Sequence, residues 1–443
     1  MDIHRTAEEI LKRSPYETEV YIARSDSLNI EVLDGKVKSI EKGSDAGIGV
    51  RILRDKRMGF AYSSFPDADM LISKAKENSG NMPEDDNNCF FSSNVPRQAM
   101  ELDIFDEAIG STNEKDKIKM ALDIEAAARN RDPRITKTES AGYSDGQVEI
   151  LVANSSGFCH SYTANECGGY AQVICEDKGE AEEGSALGAY RSWKEFDSAA
   201  IGREAADKAL LLFGGKTIKS QKLPVVFDPS VAAEFLLAAA SMLSAESAQK
   251  GRSAYAGKLG SAVAGTNISI VDDGTLKRGL ISSPFDAEGA PRRRNILISS
   301  GILNSFMHNC YTASKDETVT TGNASRASFK TTPSVRPSNL FIVPGKKGHR
   351  DILSSAGISL LITRVMAMHS VNPVSGDFSV GAAGCMIENG KPSDPVRGIT
   401  IAGNLIELLS GVEEIGSDLK FFPEASGCGS PTLLISSLSV GGE

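Results

Sequence analysis

The stretch His369-Ser-Val-Asn-Pro-Val-Ser-Gly-Asp377-Phe-Ser-Val-Gly-Ala-Ala-Gly384-Cys-Met-Ile-Glu-Asn-Gly390, followed by Ile399-Thr-Ile-Ala-Gly403-Asn404, is the most telling part of the chain. Glycines at 376, 381, 384 and 390, with Asn372-Pro373 and Asn389-Gly390, supply tight turns and close backbone approach. Turn chemistry alone accounts for most of these residues, which gives a Gly-rich hairpin as the plain reading. A shaped surface is the sharper one, because His369, Asn372, Ser375, Asp377 and Ser379 stand among residues too small to cover them.

Outward from that stretch, 443 residues exceed what one hydrophobic core usually serves, so two or three domains are expected. With 40% apolar and 24% charged residues, the composition is that of a folded globular protein. A net charge of −10 repels phosphate backbones, and the short basic run Arg292-Arg293-Arg294 reads as a solvated or ion-paired face, so nucleic acid is excluded as a partner. Seven scattered cysteines form no disulfide framework and fit a reducing cytoplasm. The N-terminus reads as a charged amphipathic helix rather than a signal peptide, and Ala232 to Leu243, the longest apolar segment, is far too short to span a membrane.

The organisation predicted is α+β. Residues 1–95 read as a helix, a meander of short strands with a hairpin at Asp34-Gly35, a helix capped by Asp67, and a linker. Residues 96–220 read as helix, antiparallel strands and helix, with turns at Tyr143-Ser-Asp-Gly and Asn154-Ser-Ser-Gly. Residues 221–443 form a larger β-rich domain with one prominent helix from about Ser230 to Gln249.

Motifs with defined chemistry are mostly absent. No two of the five histidines lie within four residues, which rules out a helical zinc pair, and there is no phosphate loop and no G-x-S-x-G. Cys159, His160, Cys167 and Cys175 are spaced as strand positions rather than as a metal knuckle. A nucleophile-base pair can be drawn from His369 and Asp377 with Cys385 or Cys428, but nothing in the spacing enforces it. Asp272, Asp273, Asp286 and Glu288 read first as turn-forming residues of solvated loops. Tyr311-Thr-Ala-Ser-Lys315 and Thr321-Gly-Asn-Ala-Ser-Arg326 suit a groove where an extended backbone could be bound.

Taken in order, Gly49-Val-Arg51, Gly59-Phe60, Asp286-Ala-Glu288-Gly-Ala-Pro, Tyr311-Thr-Ala, Thr321-Gly-Asn, Asn372-Pro-Val-Ser-Gly-Asp377 to Gly384, Ile387-Glu-Asn-Gly390, Ile399-Thr-Ile-Ala-Gly403-Asn404 and Ser430-Pro-Thr resemble the TldD/PmbA family across essentially the whole chain. The resemblance implies a cytoplasmic α+β member of a metallopeptidase family, once described as modulators of DNA gyrase, acting in peptide maturation and breakdown. It also implies two kinds of subunit: a TldD-like one with an H-E-x-x-x-H helix and a later cysteine binding zinc, and a PmbA (TldE)-like one without them. The two associate as a heterodimer around a cleft for unfolded peptide. Here the corresponding helix, Val231 to Glu246, has no histidine; counting back from Lys250-Gly251, the metal pair would fall at Leu236 and Ser241. Cys428 lies nearer Pro431 than the family's zinc-binding cysteine. The resemblance therefore implies a PmbA/TldE-like, non-catalytic subunit with no catalytic, cofactor-binding or metal residue of its own. Zinc belongs to a TldD-like partner, and Thr321, Gly322, Asn323, His369, Asn372, Gly376 and Asp377 fall to the peptide groove or the interface. The competing readings are a self-sufficient hydrolase, using Cys428 or Cys385 with His369 or an unforeseen metal site, and a homodimeric peptide-binding scaffold.

Overall fold

The structure, a computed structural model, describes residues 2–92 and 101–443. The expected boundary between residues 95 and 96, with Pro96, lies outside them. In chain order the first half contains α1 (Ile3–Arg13), β1 (Glu17–Leu33), β2 (Lys36–Arg54), β3 (Arg57–Ser63), α2 (Ala68–Ser79), α3 (Glu107–Ser111), α4 (Glu114–Arg129), β4 (Ile135–Asn154), β5 (Cys159–Asp177), β6 (Glu180–Tyr190) and α5 (Ser198–Leu212). The second half contains β7 (Gln221–Phe227), α6 (Pro229–Ala240), α7 (Ala245–Gln249), β8 (Ile270–Asp273), β9 (Arg294–Ser299), β10 (Ile302–Leu303), α8 (Cys310–Lys315), β11 (Ala324–Ser325), β12 (Ser334–Val335), β13 (Leu340–Ile342), α9 (His349–Ser355) and β14 (Ser359–Met366). It ends with β15 (Asp377–Glu388), β16 (Lys391–Asn404), α10 (Leu405–Ser410), β17 (Val412–Ile415), β18 (Lys420–Phe422), β19 (Cys428–Ser430) and β20 (Leu433–Gly441). The fold is α+β, as the sequence predicts.

β1 to β6 build one antiparallel sheet in the order β3-β2-β1-β4-β5-β6. The strands expected before residue 63 form as β1 to β3, of which β1 and β2 run on for 17 and 19 residues, and the hairpin at Asp34 and Gly35 is present, both residues at positive φ as a two-residue turn requires. β1 pairs with β4 from Glu19↔Asn154 to Val32↔Ala141, so the N-terminal and middle units share a single sheet. Tyr143-Ser-Asp-Gly, expected as a turn, lies in mid-strand: Ser144 pairs with Asn29 on one side and with Gly168 on the other, and ladders on both flanks hold it extended. One face of the sheet is covered by helices. Val20, Ile22, Val50 and Leu151 pack with the α1 and α2 side chains Ile10 and Leu71, while Ile30, Tyr143 and Val173 pack with Ile124 of α4 and Ala205 of α5. The opposite face, through Tyr21, Ile150 and Val152, meets Phe285 and Phe329 of the second half. Gly47 makes that contact possible, since a Cβ there would stand 2.1 Å from the Phe329 ring.

The second half holds a mixed sheet, β10-β9-β8-β13-β19-β18, and another, β16-β15-β14-β7-β20-β17, in which β16 also pairs with β20 and closes five strands into a ring. α6 is packed between them, its Phe235 against Phe227 and Phe378. The helix expected to run to Gln249 ends at Ala240 in a tighter turn, and Ser244 is extended. Met307 imposes the break: its N–H donates to the Leu243 carbonyl (2.8 Å) and its carbonyl accepts from the Ala245 N–H (3.0 Å), which pulls the chain out of helical geometry.

Candidate functional site

Where the first sheet meets the second half, buried charges knit the two together. Arg51 on β2 donates Nε to Glu19 Oε1 (2.9 Å) and Nη2 to Glu19 Oε2 (2.6 Å) and Glu288 Oε1 (3.0 Å). Arg326 joins from the far side by donating to Glu19 and lies over the Tyr21 ring at 4.8 Å. Two carboxylates thus face two guanidiniums, all nearly inaccessible to water, an arrangement that is tolerable only because the charges balance and their hydrogen bonds are met. Burial opposes the charge on Arg51, yet Glu19 and Glu288 hold its pKa above the ordinary value, while burial pulls Arg326 down to about 10.

Glu288 carries this network onward. Its Oε2 accepts from the Cys310 amide (2.8 Å) and so fixes the start of α8, whose Asn309 and Thr312 form a reciprocal cap. Beside it Asp286 accepts from the amides of Glu288 (2.9 Å), Ala290 (3.0 Å) and Ala324 (3.0 Å); burial, with Glu288 adjacent, pushes its pKa up. Deeper still, Asp272 accepts from Asn323 Nδ2 (2.7 Å) and from the Ser338 amide (2.6 Å) and hydroxyl (2.8 Å). The acids read from the sequence as solvated loop residues are therefore interior, because arginines and amides far away in sequence fold over them. Arg292 is buried as well, donating to the Gly322 carbonyl (2.6 Å), whereas Arg294 keeps the expected ion-paired position beside Asp273 (3.3 Å).

Above this network opens a cleft of about 450 Å³. Met58 and Phe60 of β3, Asn78 of α2 and Met82, Asn88 and Cys89 of the segment after it form one wall. Glu246 and Gln249 of α7, Lys250 just after it, Asn309, Tyr311, Thr312 and Lys315 around α8, and Thr332 and Pro333 form the other, with Arg51 and Glu288 at the join. Tyr311 donates its hydroxyl to Asp85 Oδ2 (2.8 Å) and ties the walls together. Several of the ordered motifs converge here: Gly49-Val-Arg51, Gly59-Phe60, Asp286-Ala-Glu288, Tyr311-Thr-Ala and Lys250-Gly251.

The predicted groove residues divide into two groups. Thr321, Gly322 and Asn323 are buried behind the cleft rather than lining it: Thr321 Oγ1 accepts from the His308 amide (2.6 Å) and donates to Asn323 Oδ1 (2.6 Å). His369 and Asn372 are exposed in the segment before β15 and Asp377 is exposed at its first position, while Gly376 is buried between them. Asn372 Oδ1 accepts from the Val374 amide (2.9 Å), and Asn404 Nδ2 donates to the Ser375 carbonyl (2.9 Å) and Asp377 Oδ1 (2.9 Å), so the polar residues of this motif chiefly close their own turn. Lys315 lies at the end of the Tyr311–Lys315 stretch read as suited to a groove, whereas Met58, Met82 and Gln249, which also line the cleft, carry no motif signal and become visible only once β3, α7 and α8 are brought together.

Other drawings of chemistry find no geometric support. Cys385 and Cys428 are buried in separate apolar clusters, where burial pushes their thiols up to about 11 and about 12, and His369 lies exposed. Cys159, Cys167 and Cys175 follow one another at eight-residue steps on β5, about 26 Å per step, too far apart to share an ion. Leu236 packs against Phe227, Phe235 and Leu405, and the Ser241 hydroxyl donates to the Ala238 carbonyl (3.3 Å). Among the described residues no three of His, Cys, Asp and Glu gather as metal ligands would.

An α+β chain with a cleft between its two halves is the class these features define, and comparison with known proteins specifies it. Family models for the PmbA/TldA metallopeptidase match domain 1 at residues 18–79, the central domain at 107–213 and the C-terminal domain at 220–442. The chain belongs to the PmbA/TldD metallopeptidase family. It is 26% identical to metalloprotease PmbA of Escherichia coli O157:H7 over 99% of this chain and 95% of that one. It is 28% identical to a metalloprotease TldD homolog of Buchnera aphidicola over 90% and 87% of the two chains. The Thermotoga maritima structure named for a modulator of a DNA gyrase superposes with a TM-score of 0.91 at 26% identity, covering 99% of this chain and 100% of that one. Thermococcus kodakarensis TldE shares the fold with a TM-score of 0.87 at 21% identity, covering 100% and 99%.

Proposed function

We propose that this chain is the PmbA/TldE-like, zinc-free subunit of a TldD/PmbA-type peptidase: it forms one wall of a cleft for unfolded peptide and associates with a zinc-bearing TldD-like chain in the cytoplasm. The observation that carries the reading is the apolar burial of Leu236, which is 2% exposed in the core where the resemblance places a metal ligand. A zinc ion needs imidazole, thiolate or carboxylate donors, and Leu236 with the Ser241 hydroxyl offers none of these as a pair. The residues at that position do not fit the metal. What this chain contributes is the cleft: Arg51 and Glu288 fix its two walls, Tyr311 and Asp85 bridge them, and α8 presents polar groups to an extended backbone. No helix among the described residues is long and apolar enough to cross a membrane.

Co-purification with a TldD-like chain from the same genome, followed by cleavage of an unstructured peptide, tests the assignment. Association, with cleavage by the mixture and none by this chain alone, is the expected result. Cleavage by the isolated chain would establish the self-sufficient hydrolase instead, and a peptide-binding homodimer indifferent to the TldD-like chain would establish the scaffold.

A further inference from the structure

Among the described residues three cations line the cleft, and two of them are held in ion pairs. Arg51 is bound by Glu19 and Glu288, and Lys250 Nζ lies 2.6 Å from Glu246 Oε1. Lys315, exposed at the end of α8, forms no ion pair among the described residues. Asp85, the carboxylate it faces at longer range, already accepts from the Tyr311 hydroxyl (2.8 Å) and the Asn87 amide (2.9 Å). Across from Lys315 the wall, which also carries Asn78 and Asn88, holds an apolar recess. Met58 and Phe60 stand two apart on β3 and so point to one face, and Met82 is half-exposed beside them. Thioethers around an aromatic ring make an adaptable recess that accepts bulky apolar groups of differing shape. Against the repulsion of a chain of net charge −10, the local field of a cation without a close ion-pair partner, opposite such a recess, favours an anion that carries an apolar body.

We propose that the cleft selects peptide segments in which a bulky apolar side chain stands next to a free carboxylate, the side chain entering the recess of Met58, Phe60 and Met82 and the carboxylate meeting Lys315. This specificity rests on the peptide-binding reading above. It makes the cleft a reader of chain ends, or of apolar residues followed by Asp or Glu, rather than a neutral trough.

Fluorescence anisotropy with the full-length chain, alone and combined with a TldD-like chain, provides the test. The probes are one labelled unstructured nonapeptide ending in Phe, as the free acid and as the C-terminal amide. The free acid is expected to bind about tenfold tighter than the amide, the scale of one charge-assisted contact. Lys315→Met should bring the acid down to the amide's affinity, Lys315→Glu should invert the preference, and Phe60→Ala should weaken both probes, each variant being checked for its fold by circular dichroism. Equal binding of acid and amide, or a preference that survives Lys315→Met, would overturn the specificity while leaving the peptide cleft standing. No binding of either probe, even with the TldD-like chain present, would overturn both.

Discussion

The loop Thr320–Asn323 and the turn Asn372–Asp377 are built from much the same residues, small and polar around a glycine, yet one is interior and the other is surface. Partners make the difference. The first loop bonds to Arg292, Asn295, His308, Arg336 and Asp272, contributed by segments up to 51 residues away in the chain. The second is closed by its own amides and by Asn404. A polar motif becomes part of the scaffold when distant strands supply donors and acceptors on every side, and otherwise remains a turn.

The contrast yields ordered expectations. Arg51→Ala removes one member of a balanced buried set and strands Glu288 without its counter-ion, so denaturant unfolding should show a loss of about 3–5 kcal/mol. Asn323→Ala leaves Asp272 and the Thr321 hydroxyl short of partners inside the protein, and about 2 kcal/mol should be lost by the same measurement.

Glu234→Gln should act in the opposite direction. Glu234 lies with Glu424 in a second cleft, between β6, α5 and α6, where burial and then Glu424 raise its pKa to about 7. As pH climbs from 4.5 towards 7 the unfolded chain releases this proton and the folded chain retains it, so stability falls across that window and stays reduced above it. With solvent screening of a group that is only partly buried, the variant should gain about 1 kcal/mol over the parent at pH 8 and nothing at pH 4 in paired thermal melts. Smallest is Asn372→Ala, which removes the acceptor of the Val374 and Ser375 amides within the exposed turn and should cost about 0.5 kcal/mol. A loss there as large as at Asn323 would erase the distinction between the two motifs.

Local signals in the sequence were dependable where one residue fixes its own backbone. Asp34-Gly35 makes its hairpin and Asp67 caps α2 by accepting from the Met70 amide. Long-range decisions were not legible. Nothing near Ser144 announces that strands on both sides hold it straight, and nothing near Ser244 announces that Met307, 63 positions on, will end the helix. The acids Asp272, Asp286 and Glu288 carry the composition of a solvated loop, and only the fold brings Asn323, distant amides and Arg51 over them. For the same reason the motifs indicated the family and the neighbourhood of the cleft, Lys315 included, whereas its lining at Met58, Met82 and Gln249 required the assembled walls.

Zinc content of the purified full-length chain, measured by mass spectrometry after equilibration with excess zinc and exhaustive dialysis, tests the central claim most directly. With an apolar side chain buried at position 236, the account predicts no stoichiometric zinc in this chain and one equivalent in a TldD-like chain treated in parallel. One equivalent bound tightly by this chain alone would contradict it.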